Sequence, residues 1–212
     1  MSGIEVVLPT SKRLVSLDHL VTHEEWATDW SQRAERYELV DGAPLMSPSE
    51  HPDNGDATTM LLIRLLYALG EEWRFLQHIN VGITSEGRLT HRIPDLTVLR
   101  QDSPRDNPLD PTQVVLVAEV LSASTREEDL GRKRRDYASV SIPNYVLVDR
   151  EGPPRLRVLT DPLDGDYRSE QAGESVTLSI AGHDIILAAT EIIRWRQAAV
   201  QKTRPPQCGP PP

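Results

Sequence analysis

Val114-Val115-Leu116-Val117-Ala118-Glu119-Val120-Leu121, with the segment from Ser122 to Val140 and then Asn144-Tyr145-Val146-Leu147-Val148-Asp149, decides the fold. The first run is short, β-branched and almost wholly apolar, which reads as a strand buried on both faces. Ser122, Ser124 and Thr125 followed by Glu127 and Glu128 supply overlapping capping boxes for a helix over residues 126–140. Ile142-Pro143 ends that helix, and a second buried strand follows. Strand, helix, strand in this order implies a parallel pair joined by a right-handed crossover. The class is α/β (α+β), a mixed sheet flanked by helices.

The same logic extends toward the N-terminus. Thr22 with Glu25 caps a helix over residues 23–36, whose Trp26, Trp30 and Ala34 share one face. Tyr37-Glu38-Leu39-Val40, Asp41-Gly42 and Ala43-Pro44-Leu45-Met46 read as a hairpin around a tight turn. Residues 47–55 read as a loop on composition, and residues 57–74 as a helix with a broad leucine face. Strands are expected at 77–83 and 96–99, joined to the buried strand by an exposed Pro- and Asp-rich connection, 101–111. Beyond Asp149, residues 155–159 alternate like a half-exposed strand near an edge. Short strands at 176–178 and 184–187 precede a closing helix at 191–200. Three parts are expected: an N-terminal extension, 1–16; one domain, 17–200; and a proline-rich, disordered tail, 201–212.

Composition narrows the function. No stretch reaches the roughly 20 apolar residues of a membrane span, and the N-terminus lacks the pattern of a signal peptide. A lone cysteine, Cys208, excludes an internal disulfide and a cysteine-based zinc site. A cytosolic protein is the expectation. The formal net charge of −9 counts against general polyanion binding. Local charge differs, since Arg126 and Arg132-Lys133-Arg134-Arg135 gather after the Glu119 strand, although such a run is most simply a solvated helix face.

Glu119 is the residue out of place. An isolated buried charge is costly, so it calls for a partner, a proton or a metal. Asp95, after Pro94 at the head of a strand, offers a second carboxylate, and the two together could form half of a Mg²⁺ site. Pairing of Glu119 with an arginine of the next helix explains it equally well, and Asp95 taken alone is ordinary turn chemistry. Helical spacing puts Lys133, four residues before Tyr137, on the stripe facing the sheet. Arg134 satisfies the same geometry; chemistry favours lysine, a compact charge with a tunable proton. Glu38 reads as a polar residue of an edge strand, His19 and His23 as surface histidines, and Asp149 as a turn former.

Taken together, Tyr37 to Gly42, Ser47 to His51, Arg92 to Asp95, Glu119 to Thr125, Asp129-Leu130, Lys133, Tyr137-Ala138 and Ile142 to Asp149 form an ordered set. It resembles the Uma-two family of restriction-endonuclease-like proteins, within the PD-(D/E)XK nuclease superfamily, over residues 17–187. The resemblance implies a restriction endonuclease-like core with helices on both faces of a mixed sheet. It implies that Asp95 and Glu119 are metal carboxylates, with the backbone carbonyl of Val120 as a further ligand for Mg²⁺ or Mn²⁺. Lys133 is then the catalytic lysine and Glu38 an additional acidic residue. Leu121 stands where the superfamily's usual lysine would be, and Lys133 is the replacement that the family pattern suggests. The expected function is metal-dependent hydrolysis of phosphodiester bonds, with DNA as substrate. The alternative is an inactive nuclease fold that binds nucleic acid or protein. A third reading is a structural or interaction protein that forms a homodimer through the strand at 155–159, and a dimer also suits a nuclease cutting both strands.

Overall fold

The computed structural model describes residues 13–15, 18–33, 36–47, 51–84 and 89–193. In chain order the strands are β1 (Arg13–Leu14), β2 (Tyr37–Val40), β3 (Ala43–Met46), β4 (Trp73–Leu76), β5 (Val81–Gly82), β6 (His91–Arg92), β7 (Leu96–Arg100), β8 (Val114–Leu121), β9 (Asn144–Asp149), β10 (Leu156–Leu163), β11 (Asp166–Gly173), β12 (Ser175–Ile180) and β13 (His183–Ala188). The helices are α1 (His23–Thr28), α2 (Pro52–Leu69), α3 (Arg126–Glu128), α4 (Arg134–Ser139) and α5 (Ala189–Ile192). A π-helical stretch, Asp129–Lys133, joins α3 to α4 without a break.

β8 and β9 form the expected parallel pair, with Glu119 opposite Leu147. They sit at the centre of a six-stranded sheet of order β11-β10-β9-β8-β7-β4, whose other neighbours are antiparallel. Alternation along β8 divides its side chains between two cores. Leu116, Ala118 and Val120 pack with Leu61 and Leu65 of α2 and with Leu178 and Leu187 of the β12–β13 hairpin. Val117 and Leu121 pack on the opposite face with Tyr137 and Ala138 of α4 and with Tyr145 and Leu147 of β9. Helices thus cover both faces of a mixed sheet. Burying each Val or Leu side chain among these contributes roughly 1.5–3 kcal/mol. Glu119 occupies one of these positions and brings a charge instead, so it must be compensated locally.

The second sheet, of order β1-β3-β2-β6-β5, includes the expected hairpin. Asp41 and Gly42 both have positive φ, 52° and 82°, as a type I′ turn requires. A Cβ on Gly42 would lie 2.9 Å from Leu20 Cβ, so the turn is closed on both grounds. The Thr22–Glu25 capping box is present, and Trp26 and Trp30 are buried. The helix itself ends at Thr28 and a 3₁₀ turn, Trp30–Gln32, carries the second tryptophan. Ala34 lies outside the described residues, as do 1–12 and 194–212, which include Cys208 and most of the expected closing helix.

Several expectations need correction. The α2 helix runs from Pro52 to Leu69, earlier at both ends than the expected 57–74. Its start was hidden by turn-forming residues, yet Pro52 occupies the first helical turn, where a missing N–H costs nothing. Gly70, at φ 77°, stops the helix, and Arg74 belongs to β4. Of the strand expected at 77–83 only the two residues of β5 form; 77–80 are irregular, with His78 at φ 54°, and β4 lies before that range, where the end of the helix was expected. β2 lies between β3 and β6, so Glu38 is on an interior strand and not an edge. β10 is hydrogen-bonded on both sides, by β9 and β11, and its edge cannot serve a dimer; β11 is the outer strand. Thr125, at the N-cap of α3, makes no side-chain cap; Ser122 Oγ accepts from Thr125 N at 3.3 Å instead.

Candidate active site

Asp95 immediately precedes β7, where Leu96 pairs with Ala118 of β8. One step further along this antiparallel register brings Asp95 opposite Glu119. Asp95 Oδ2 accepts a hydrogen bond from Val120 N at 2.7 Å, and His78 Nδ1 lies 3.9 Å from Asp95 Oδ1. Asp95, Glu119, Val120, Lys133, Glu38 and His78 line one pocket of about 220 Å³, with Ser122, Ser124, Thr125, Asn54 and Arg36 around it.

The helix supplies the other half. Lys133, four residues after Asp129 and four before Tyr137, is 4% exposed and points at the sheet. Its Nζ is 2.7 Å from Glu119 Oε1, 2.9 Å from Asp129 Oδ1 and 4.0 Å from Glu38 Oε1. Tyr137 donates from its hydroxyl to the same Glu119 Oε1 at 2.7 Å. The π turn falls at Asp129–Lys133, so the two ion-pairing residues stack on one line of the helix. Arg134, which spacing left equivalent to Lys133, turns outward to Asp166, Glu170 and the carbonyl of Tyr167. Arg132 bonds Asp41 at 2.7 Å and Arg126 bonds Asp149. The basic run is therefore largely committed to intramolecular pairs. Asp149 also accepts from the backbone N–H groups of Glu151 and Gly152, the turn role expected of it.

Glu119 is 2% exposed. Burial raises its carboxyl to about 8; Lys133 opposes that shift, and the charges of Asp95 and Asp129 add to it. Burial by itself would lower the Lys133 ammonium, but Asp129, Glu119 and Glu38 outweigh it and hold the lysine charged, well above its usual range. Burial also holds Tyr137 as a neutral phenol, reinforced by Glu119.

A second group, unforeseen from the residues, adjoins the first. Arg92, fully buried on β6, bonds Glu38 Oε2 at 2.9 Å and Glu128 Oε1 at 2.7 Å, and its Nη2 is 2.6 Å from Asp136 Oδ2. Glu38 Oε1 accepts from Ile93 N at 3.4 Å. One guanidinium thus ties the second sheet to the helix that carries Lys133. The expectation of an arginine partner for Glu119 is not what forms: a lysine and a tyrosine take that role, and the arginine serves Glu38. The only sequence signal for Arg92 and Asp129 was their membership of the ordered set, and Tyr137 entered besides only as a marker of the helix stripe facing the sheet.

Restriction-type nucleases imply a divalent cation, and the residues fit one. The acidic groups converging here (Glu38, Asp95, Glu119, Glu128, Asp129, Asp136) outnumber the cations paired with them, Arg92, Lys133 and Arg132. Both contacts to Glu119 fall on Oε1, and Oε2 makes no hydrogen bond among the described residues. Hard carboxylate oxygens suit Mg²⁺ or Mn²⁺, which take one or two carboxylates and complete their shells with water and substrate phosphate. Among the described residues no group of three or more His, Cys, Asp or Glu side chains is arranged to hold a metal by itself. Leu121, at the usual lysine position, is buried in the apolar cluster against α4.

Comparison with known proteins gives a family and a fold. Residues 21–189 match the Uma2 family, described as "Putative restriction endonuclease". A similar solved structure is the "putative nuclease belonging to DUF820 from Anabaena variabilis ATCC 29413", with a TM-score of 0.55. The two are 9% identical, over 75% of this chain and 90% of that one, so the likeness is one of fold. No curated protein gives a significant match. No helix among the described residues is long and apolar enough to cross a membrane.

Proposed function

This chain belongs to the Uma2 family of restriction-endonuclease-type proteins, and on that premise we propose that it is a divalent-metal-dependent nuclease hydrolysing phosphodiester bonds in DNA. The observation that carries the reading is the meeting of Asp95 and Glu119, distant in sequence, in one pocket with Lys133 paired to Glu119.

Asp95, Glu119 and the backbone carbonyl of Val120 would hold the Mg²⁺ or Mn²⁺. When bound, such an ion polarises a phosphate oxygen and lowers the pKa of a water molecule, supplying the nucleophile. Asp95 is fixed for its part by the Val120 amide. Lys133, held charged by its acidic neighbours, is poorly suited to accept a proton. Its part is electrostatic: a fixed positive charge in the pocket that offsets negative charge accumulating on the phosphate as the oxygen–phosphorus bond forms and the leaving oxygen departs. Glu38 sits beside Lys133 and, through Arg92, holds the helix against the pocket.

Purified protein with Mg²⁺ or Mn²⁺ should nick or cut DNA, and Glu119→Gln should abolish this. Equal activity in wild type and variant would assign the cutting to a contaminant and remove the proposal. A second reading, a nuclease fold retained for binding, draws on the basic side chains tied up in ion pairs. Calorimetry separates the two, because the binding module would take up no Mg²⁺ in either wild type or Asp95→Ala.

A further inference from the structure

We infer that Tyr137 is a positioning residue that fixes the Glu119 carboxylate for metal binding, an inference that rests on the metal-dependent reading above. The Tyr137 hydroxyl donates to Glu119 Oε1 at 2.7 Å, the oxygen that also lies 2.7 Å from Lys133 Nζ. An ammonium is a point charge that tolerates any rotation of the carboxylate beneath it and can bridge both oxygens. A phenol hydroxyl is directional and makes one bond along its own axis. Lysine alone would therefore leave Glu119 free to offer either oxygen or both to the ammonium. With the hydroxyl added, both protein contacts converge on Oε1, and Oε2 carries no hydrogen bond among the described residues. The residue lines the pocket shared with Asp95, so Oε2 is the oxygen left for a cation.

The hydroxyl is itself well anchored. Tyr137 is fully buried and packs edge-to-face on Tyr145, with ring centroids 5.1 Å apart. Tyr145 makes the internal control, because its hydroxyl, equally buried, donates to the backbone oxygen of Asp129 at 2.9 Å and touches no proposed ligand. Deleting either oxygen removes one buried hydrogen bond from the same cluster. Only one of the two deletions frees Glu119.

The test is Mn²⁺ titration by calorimetry of wild type, Tyr137→Phe and Tyr145→Phe, with the melting temperature of each recorded without metal. Partners of metal ligands typically change metal affinity ~10–100-fold when removed. Tyr137→Phe should bind Mn²⁺ about tenfold or more weakly, while Tyr145→Phe binds as wild type does. Equal affinity in wild type and Tyr137→Phe overturns the inference, and so does equal weakening in the two variants, which would mark a packing effect. Wild type that binds no Mn²⁺ removes the metal reading and this inference with it, a result distinct from the other two. Should Tyr137→Phe fail to fold, Mg²⁺ added to wild type should still produce a tyrosine ultraviolet difference spectrum, retained in Tyr145→Phe. An unchanged spectrum overturns the inference.

Discussion

Replacing Lys133 by methionine keeps most of the side chain's volume and removes its charge. The ammonium lies 2.7 Å from Glu119 and 2.9 Å from Asp129, and both carboxylates are nearly inaccessible. Removing one partner of a buried ion pair typically costs ~3–5 kcal/mol, because the other charge stays buried without compensation. For a chain of this size each kcal/mol lowers the melting temperature by about 2–4 °C, so Lys133→Met should melt roughly 6–20 °C below wild type in metal-free buffer near pH 8. The sign of the pH dependence follows from Glu119, whose folded carboxyl is raised above its unfolded value. The folded state therefore binds the extra proton, and the penalty shrinks as pH falls. Removing Lys133 removes the group that opposed this shift, so acid should rescue the variant more than wild type. Mg²⁺ should rescue it also, by about 2.7 kcal/mol at a hundred times its dissociation constant. Calorimetric melts at pH 6 and pH 8, with and without Mg²⁺, read all of this. A variant that melts within 2–3 °C of wild type at about pH 8 without metal would refute the reasoning, since the carboxylates would then not depend on the lysine.

Other perturbations have defined outcomes. Arg92→Met strands Glu38, Glu128 and Asp136 together, and should destabilise at least as much as Lys133→Met in a denaturant melt; a loss under ~1 kcal/mol would show that the cluster is solvated. His91, buried against Trp26, has its pKa lowered to about 4 by burial, with the charge of His23 adding to this. The unfolded chain therefore takes up the proton first as pH falls below 6.5, and ~3 kcal/mol of stability should drain away between there and about pH 4. His91→Phe should flatten that acid limb in pH-dependent melts, and an unchanged slope would contradict it. Gly42→Ala places a side chain at φ 82° and against Leu20, and should cost about 1–2 kcal/mol by chemical denaturation; a neutral result would mean that the turn relaxes.

What the residues revealed, and what they withheld, follows from range. The β8–helix–β9 unit was legible because an eight-residue apolar run, clustered caps and a terminating Ile-Pro are all local signals. The Asp41-Gly42 hairpin was legible for the same reason. β11 was not, because its residues are mostly exposed and polar and carry no apolar alternation, although Asp164-Gly165, both at positive φ, signalled the hairpin turn that makes it. At the site, the isolated carboxylate in β8 drew attention to Glu119, and helical spacing narrowed its neighbour to Lys133 or Arg134. Spacing could not choose, since the choice depends on where β11 offers Asp166 and Glu170 to the arginine. Arg92 was invisible as a hub, because its three partners come from β2, α3 and α4 and meet only in the folded chain.

Anomalous diffraction from Mn²⁺-soaked crystals, recorded for wild type and Asp95→Asn, tests the central claim most directly. We expect a single peak within coordination distance of Asp95 and Glu119 oxygens in wild type, and its loss in the variant. Density for Mn²⁺ elsewhere, or none beside these two carboxylates in a crystal that admits the ion, would contradict it.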